Sequence, residues 1–256
     1  MIHSTAIISD SAVIAEGVEV GAYTIIADGV EIDTGTVIDS HVVINGPAKI
    51  GKDNHIYQFT SIGDDPQDLK YAHEPTCLTI GERNTFREFC TVSRGTIQDA
   101  ANTIIGDDNL FMAYVHIAHD CVIGNKTILA NNTTLAGHVH LADQVICSGF
   151  SGVHQFCYVG AHAFLGNHAA VLKNVPAYIT VSGRPAIPRG INSEGLKRRD
   201  FSVDQIRNIK NAYRLVYRKG LKLEEAKLQI EALCADQPEL KLFLESLRST
   251  ERGLVR

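Results

Sequence analysis

Seven of the eleven histidines of this 256-residue chain, His116, His119, His138, His140, His154, His162 and His168, fall between Ile105 and Val171. In the register described below, residues 18 apart stand one above the other. Asp120 then stacks on His138, His119 lies one coil and one residue below His138, and His154 lies one coil less two residues above it. A buried imidazole costs desolvation unless its nitrogens are paired, so a row of them along one side of a scaffold asks for chemistry rather than packing. Two chemistries suit the row. Three imidazoles can hold zinc at a subunit interface and leave a fourth position for water. Alternatively, one imidazole acts as general base, taking a proton from a hydroxyl or amine as it attacks a thioester. His116 and His119 are three apart and on a strand point to opposite sides, which weakens the single-metal arrangement. His140, His162 and His168, taken singly, read as ordinary strand histidines.

The scaffold that must position these groups shows in a period of six. Ile8, Ile14, Val20, Ile26, Ile32, Ile38, Ile44, Ile50, Ile56 and Ile62 follow one another at six-residue intervals without exception. The same spacing returns through Ile105, Phe111, Ile117, Ile123, Leu129, Leu135, Leu141, Cys147, Val153, Val159, Leu165 and Val171, and the residue after each is usually small. No helix or hairpin has this period. A chain of short flat strands with three six-residue faces per turn requires it, because each face sends one aliphatic side chain into a narrow triangular core. The pattern is that of a left-handed parallel β-helix of hexapeptide repeats, mainly β, about eight coils and, at about 4.8 Å per stacked strand, roughly 40 Å tall. Two polar stretches interrupt it, near 63–78 and near 94–103; the second shifts the frame, since Val92 and Ile105 are thirteen rather than twelve apart. Loops thrown out of a solenoid usually shape a site. The prism domain spans 1–190. Over 191–256 the hexads give way to a small α-helical domain that caps the open end: Ser202 to Gln205 reads as a capping box, Ile206, Ile209, Tyr213 and Val216 form an apolar stripe, Gly220 stops the helix, and shorter helices follow at about Leu223 to Ala235 and Pro238 to Leu247.

Composition narrows the partners. With 24 basic against 29 acidic residues the chain carries a formal charge of -5, which argues against a general nucleic-acid binder. Cys77, Cys90, Cys121, Cys147, Cys157 and Cys234 show no metal-binding spacing and read as reduced thiols of a cytoplasmic protein. No basic segment followed by an apolar run opens the chain and no stretch approaches a membrane span, so neither a cleaved signal nor stable membrane insertion is expected. Against the acidic whole, nine basic residues and two acidic ones occupy Lys197 to Lys222, a surface to which an acidic protein would be drawn.

Six segments together carry a resemblance: His116 to Cys121 (HIAHDC), Leu129 to Asn132 (LANN), Ala136 to Val139 (AGHV), Val153 to Cys157 (VHQFC), Gln67 to Tyr71 (QDLKY) and Glu194 to Arg199 (EGLKRR). In their order along the chain they are similar to the UDP-N-acetylglucosamine O-acyltransferase family, which begins lipid A synthesis, and the likeness extends over essentially the whole chain. The resemblance implies transfer of an (R)-3-hydroxyacyl group from acyl carrier protein to the 3-hydroxyl of UDP-N-acetylglucosamine, in a cytoplasmic homotrimer with active sites between subunits. The acyl carrier thioester is then a substrate, and neither cofactor nor metal is called for. By motif position His119 is the general base, with no acyl-enzyme intermediate, the Gly137 N–H meets the oxyanion, and Asp120 either orients His119 or satisfies His138. Gln67 on the first loop, with His116, His138, His154 and Gln155, maps onto the substrate cleft, and Asp68 and Lys70 of the same loop would reach the sugar or the acyl hydroxyl across a subunit boundary. Asn192, Glu194, Arg198 and Arg199 map onto the nucleotide, where two arginines suit a diphosphate.

Two positions depart from the family pattern. Ser93 stands where histidine is usual, which leaves open a 3-amino in place of a 3-hydroxyl acceptor. Asn167 occupies the position that ends the acyl groove; larger than glycine, it implies a shorter chain. The rival readings are another sugar acyltransferase of the hexapeptide superfamily, a zinc lyase like the gamma-class carbonic anhydrases, and a solenoid that only binds a partner.

Overall fold

The computed structural model describes residues 1–248 and 252–256. Among the described residues, twenty-six short strands wind a triangular left-handed prism whose three faces are parallel sheets, and one antiparallel strand closes it. The first face runs from strand Ile7–Ile8 to Ala170–Val171, the second from Val13–Ile14 to Tyr158–Val159, and the third from Glu19–Val20 to Ile179–Ser182. Most strands hold two residues, one out and one in. The inward set is the hexad series: Ile26, Ile38, Ile44, Ile56, Ile62, Ile117, Leu129 and Leu135 are buried, and Phe86 and Phe111 stack on the axis at 4.7 Å.

Between faces the chain turns through residues in the left-handed region, and these stack into columns along the edges. The edge between the first and second faces carries Asp120 and His138 (φ 57° and 61°) and Phe156. The edge between the second and third carries Lys126, Gln144, His162 and Tyr178. On the edge between the third and first, Tyr23, His41, Phe59, Phe89 and Tyr114 form a ladder of stacked rings 4.9 to 5.5 Å apart. Such backbone costs an L-residue about 1–2 kcal/mol, and ring stacking offsets part of that. Inside, polar groups follow the same one-per-coil rule. The Asn54 side-chain oxygen accepts from Asn84 N (2.9 Å), that of Asn84 from Asn109 N (3.0 Å), and that of Asn109 from Thr127 N (2.7 Å).

Both insertions leave at the edge between the first and second faces. The first departs after strand Ser61–Asp64 and returns at Cys77–Ile80; the second departs after Thr91–Ser93 and returns at Asn102–Ile105. Ile62 pairs with Val92 and Val92 with Ile117, so partners are 30 and 25 apart there, against 18 for Ile117 and Leu135. The first insertion is therefore a multiple of six and leaves the hexad frame intact. The second is a hexad plus one residue, which the sequence displays as a shift of one.

Strand Ile187–Ile191 runs antiparallel to Ile179–Ser182 and ends the third face. Four helices follow among the described residues: α1 (Ser193–Lys197), α2 (Val203–Tyr217), α3 (Leu223–Leu233) and α4 (Leu240–Ser246). The expected capping box opens α2, with Gln205 N donating to Ser202 Oγ (3.2 Å) and Ser202 N to Gln205 Oε1 (2.9 Å). Ile209, Tyr213 and Val216 are buried along its stripe. α1 has too few residues to show a period, and α3 and α4 are each shorter than expected. Tyr178 Oη, donating to Glu239 O (2.8 Å), and Ala177 N, donating to Ser246 Oγ (2.9 Å), fasten this cap to the last coil.

Candidate active site

The corner between the first and second faces, where both insertions emerge, encloses a cleft of about 1040 Å³. Gln67, Asp68, Leu69 and Lys70 of the first insertion, Gln98 and Asp99 of the second, and His116, His119, Gly137, His138, Gln155 and Phe156 of the prism line it. His116 and His119 do not point to opposite sides, contrary to the strand reading: strand His116–Ile117 ends after Ile117, the chain turns the corner, and both imidazoles face the same space.

Asp120 sits beneath the cleft, 2% exposed. Its Oδ2 accepts from His119 Nδ1 (2.8 Å) and from the Thr96 hydroxyl (2.6 Å), and its Oδ1 from Thr96 N (2.8 Å). Burial works to raise this carboxyl, but the bonds from His119 and Thr96 outweigh it and hold it below the ordinary aspartate value. An ionised carboxylate only accepts, so His119 carries its proton on Nδ1 and its Nε2 is the acceptor nitrogen. That nitrogen lies over Gly137: a Cβ at Gly137 would fall 2.7 Å from Nε2 and 2.6 Å from Cε1. Among the described residues, the Gly137 N–H has no hydrogen-bond acceptor. The His119 imidazole and the Gly137 backbone are thus packed against each other in the cleft.

His138 is held separately. Its Nδ1 donates to Asp99 Oδ2 (2.9 Å), its ring stacks on Phe156 (4.3 Å) and stands edge-on to His119 (5.1 Å), and its Nε2 is 3.8 Å from Asp120 Oδ2. Asp120 is therefore primarily the partner of His119. His116 shares a 2.7 Å hydrogen bond with the Thr91 hydroxyl, and burial, then the neighbouring His119, lower its basicity. Among the described residues His119, Asp120 and His138 are the one group whose donor atoms approach as metal ligands would, within 4.8 Å. The Asp120 carboxylate is already committed to His119 and Thr96, and two imidazoles fall short of the three ligands usual for catalytic zinc.

The other expected residues lie apart. His154 is exposed and does not line the cleft, its Nδ1 donating to Gln155 O (3.1 Å). Asn192, Glu194, Arg198 and Arg199 gather around α1, beside the edge between the second and third faces and away from the cleft. Asn192 caps α1, accepting from Gly195 N (3.1 Å) and donating to His162 O (3.0 Å). Glu194 pairs with Lys197 (2.8 Å), Arg199 donates to Gly195 O and Gln144 O, and Arg198 is exposed. Asn167 is exposed on the edge between the third and first faces. Ser93 is buried at its strand end and does not line the cleft, so its difference from histidine bears on the base of the second insertion. Phe156 was readable from the 18-residue register; Thr96 and Asp99 were not, because an insertion has no period to place them.

Two family models match: UDP-N-acetylglucosamine O-acyltransferase domain 2 over residues 174–255 and the bacterial transferase hexapeptide over 102–137. The acyl-[acyl-carrier-protein]--UDP-N-acetylglucosamine O-acyltransferase of Janthinobacterium sp. (strain Marseille) is 54% identical, over 100% of this chain and 99% of its own. The chain belongs to the UDP-N-acetylglucosamine O-acyltransferase family. Solved members share its fold: the Acinetobacter baumannii structure superposes with a TM-score of 0.98 at 48% identity, covering 100% of this chain and 99% of that one, and the Arabidopsis structure with 0.87 at 34%, covering 100% of both. In this family member Cys121, beside Asp120, is fully buried, and burial pushes its thiol up to about 12, so it offers the cleft no thiolate.

Gly137→Ala tests the close approach. The added methyl group must displace the His119 ring, so turnover should fall at least 100-fold while circular dichroism and melting stay near those of the parent protein.

Proposed function

We propose that this protein transfers an (R)-3-hydroxyacyl chain from acyl carrier protein to the 3-hydroxyl of UDP-N-acetylglucosamine, the first step of lipid A biosynthesis, in the cytoplasm. The observation that carries this reading is the juxtaposition of His119 Nε2 with the Gly137 backbone, in a chain that matches enzymes of that name along its whole length.

His119 Nε2 takes the proton of the 3-hydroxyl as that oxygen attacks the thioester carbonyl. The oxyanion formed accepts a hydrogen bond from Gly137 N–H, a preorganised donor worth about 3–4 kcal/mol in comparable sites. Collapse expels the carrier thiolate, which takes up the proton from the imidazolium. Asp120 fixes the tautomer and offsets the charge that His119 gains. The step needs neither cofactor nor metal. Gln67, Asp68, Lys70, His116, His138, His154 and Gln155 bind the sugar and the acyl hydroxyl.

The nucleotide and acyl-length residues belong to a neighbouring copy in a homotrimer. Asn192, Glu194, Arg198 and Arg199, like Asn167, stand on different edges of one prism from His119, so one chain cannot apply all of them to one ligand. The aromatic ladder supplies an apolar edge for such contact, with Tyr23, Phe59, Phe89 and Tyr114 between 43% and 59% exposed. The acidic carrier docks on α2, where Lys210, Arg214, Arg218 and Lys219 are exposed beside a groove of about 560 Å³.

Turnover of UDP-N-acetylglucosamine with a series of 3-hydroxyacyl carrier proteins tests the reaction. One preferred chain length, with turnover cut about 10²- to 10⁴-fold in His119→Ala, is expected; no product with any donor would refute it. Phe89→Glu with Tyr114→Glu should convert a trimer to monomers by sedimentation and abolish turnover, whereas an active monomer would overturn the shared site. Reversing charge at Lys210 and Arg214 should weaken carrier-dependent turnover more at low salt than at high salt, and an equal effect at both would remove the docking surface.

A further inference from the structure

Arg94 is a charged side chain, 8% exposed, at the first position of the second insertion, and the chemistry above makes no use of it. Its guanidinium reaches across to the first insertion. One Nη donates to Gly63 O; the other donates to Asp65 Oδ1 and, at 3.1 Å, to Tyr71 Oη. Its backbone N–H donates to Asp64 O (3.0 Å). These partners lie on both sides of the stretch carrying Gln67, Asp68 and Lys70, so Arg94 draws the two ends of that stretch together. Between them the chain forms a tight turn, Tyr71 N donating to Asp68 O and Lys70 N to Asp68 Oδ1, both at 3.0 Å. Two residues past Arg94, Thr96 holds Asp120, and Asp99 holds His138.

We propose that Arg94 is a positioning residue for acyl transfer: by gathering Gly63, Asp65 and Tyr71 it fixes Asp68 and Lys70 at a set distance from His119. This rests on the acyltransferase reading. The arrangement suits arginine and no other residue. Three acceptors in different directions require the planar fork of a guanidinium, whereas an ammonium is a point charge. Burial adds to the demand, since a charge withdrawn from water must be met by fixed partners. Because the same short insertion also holds Asp120 and His138, substrate-facing loop and proton-accepting centre share one mount, and loss of the clamp changes the distance between them without touching His119.

The test compares Arg94→Lys and Arg94→Met with the parent protein in three measurements: amide hydrogen exchange, steady-state kinetics and the pH profile of kcat/KM. Exchange over residues 65–72 should accelerate at least tenfold in Arg94→Met, and less in Arg94→Lys, with the strands of the prism unchanged. KM for UDP-N-acetylglucosamine should rise about tenfold or more, kcat should fall less, and the midpoints of the pH profile should stay in place because the His119–Asp120 pair is intact. Unchanged exchange over 65–72, or equal losses of kcat and thermal stability with KM unaltered, would overturn the clamp. If the parent protein turns over no 3-hydroxyacyl donor, the acyltransferase reading fails, and the exchange result still decides whether Arg94 holds the loop.

Discussion

Everything in this molecule depends on one distance, the rise of a coil, which equals the spacing of hydrogen-bonded strands in a parallel sheet, about 4.8 Å. A chain that climbs by that amount every 18 residues places like positions in vertical columns. The rise suits rings stacked face to face, as in the ladder from Tyr23 to Tyr114, and side-chain amides handing on one hydrogen bond per coil, as from Asn54 to Asn109. It also sets the site: His119, Gly137, His138 and Phe156 come within contact of one another because they are about a coil apart. No flexible segment has to bring His119 and Gly137 together. They are fixed by the same ladder that holds the core.

The division of work follows from this. The prism supplies a centre whose spacing is set by its sheet ladders rather than by a loop. The insertions supply what the prism lacks, side chains at heights and angles off the hexad lattice. Thr96 and Asp99 approach Asp120 and His138 from outside the columns, and the turn at Asp68 to Tyr71 overhangs them. A lattice of identical steps yields long identical edges, and only an interruption makes one height on an edge different from the rest.

How much could be read from sequence follows the same line. The hexads display the prism because each inward position is physically equivalent to the next, and the 18-residue register places Asp120, His138 and Phe156 in one column. The cap was legible for a separate reason, a capping box at Ser202 followed by an apolar stripe. Where equivalence fails, reading fails. The insertions have no period, so the roles of Arg94, Thr96 and Asp99 were invisible. The seven-residue insertion looked like a shift of one because a hexad hides within it. His116 and His119 were set on opposite sides by treating a corner as a strand. Asn192, expected at the nucleotide, proved to cap α1, a use that five helical residues are too few to announce.

The antiparallel strand Ile187–Ile191 has a consequence beyond its place in the fold. The end of a parallel solenoid is a row of unpaired amides and carbonyls onto which the end of another molecule can add, continuing the ladder without limit, as in a growing fibre. Reversing the direction of the last strand spoils that template. An incoming parallel coil finds its hydrogen-bonding pattern mismatched on the third face, while the turn from Gly183 to Ala186 bonds Ala170 at the end of the first and the C-terminal Gly253 to Val255 bonds Asn174 at the end of the second. The molecule thus gains from repetition the rigidity its chemistry needs, while one strand of opposite sense keeps that repetition from spreading between molecules and protects a highly periodic protein from polymerising in a crowded cell.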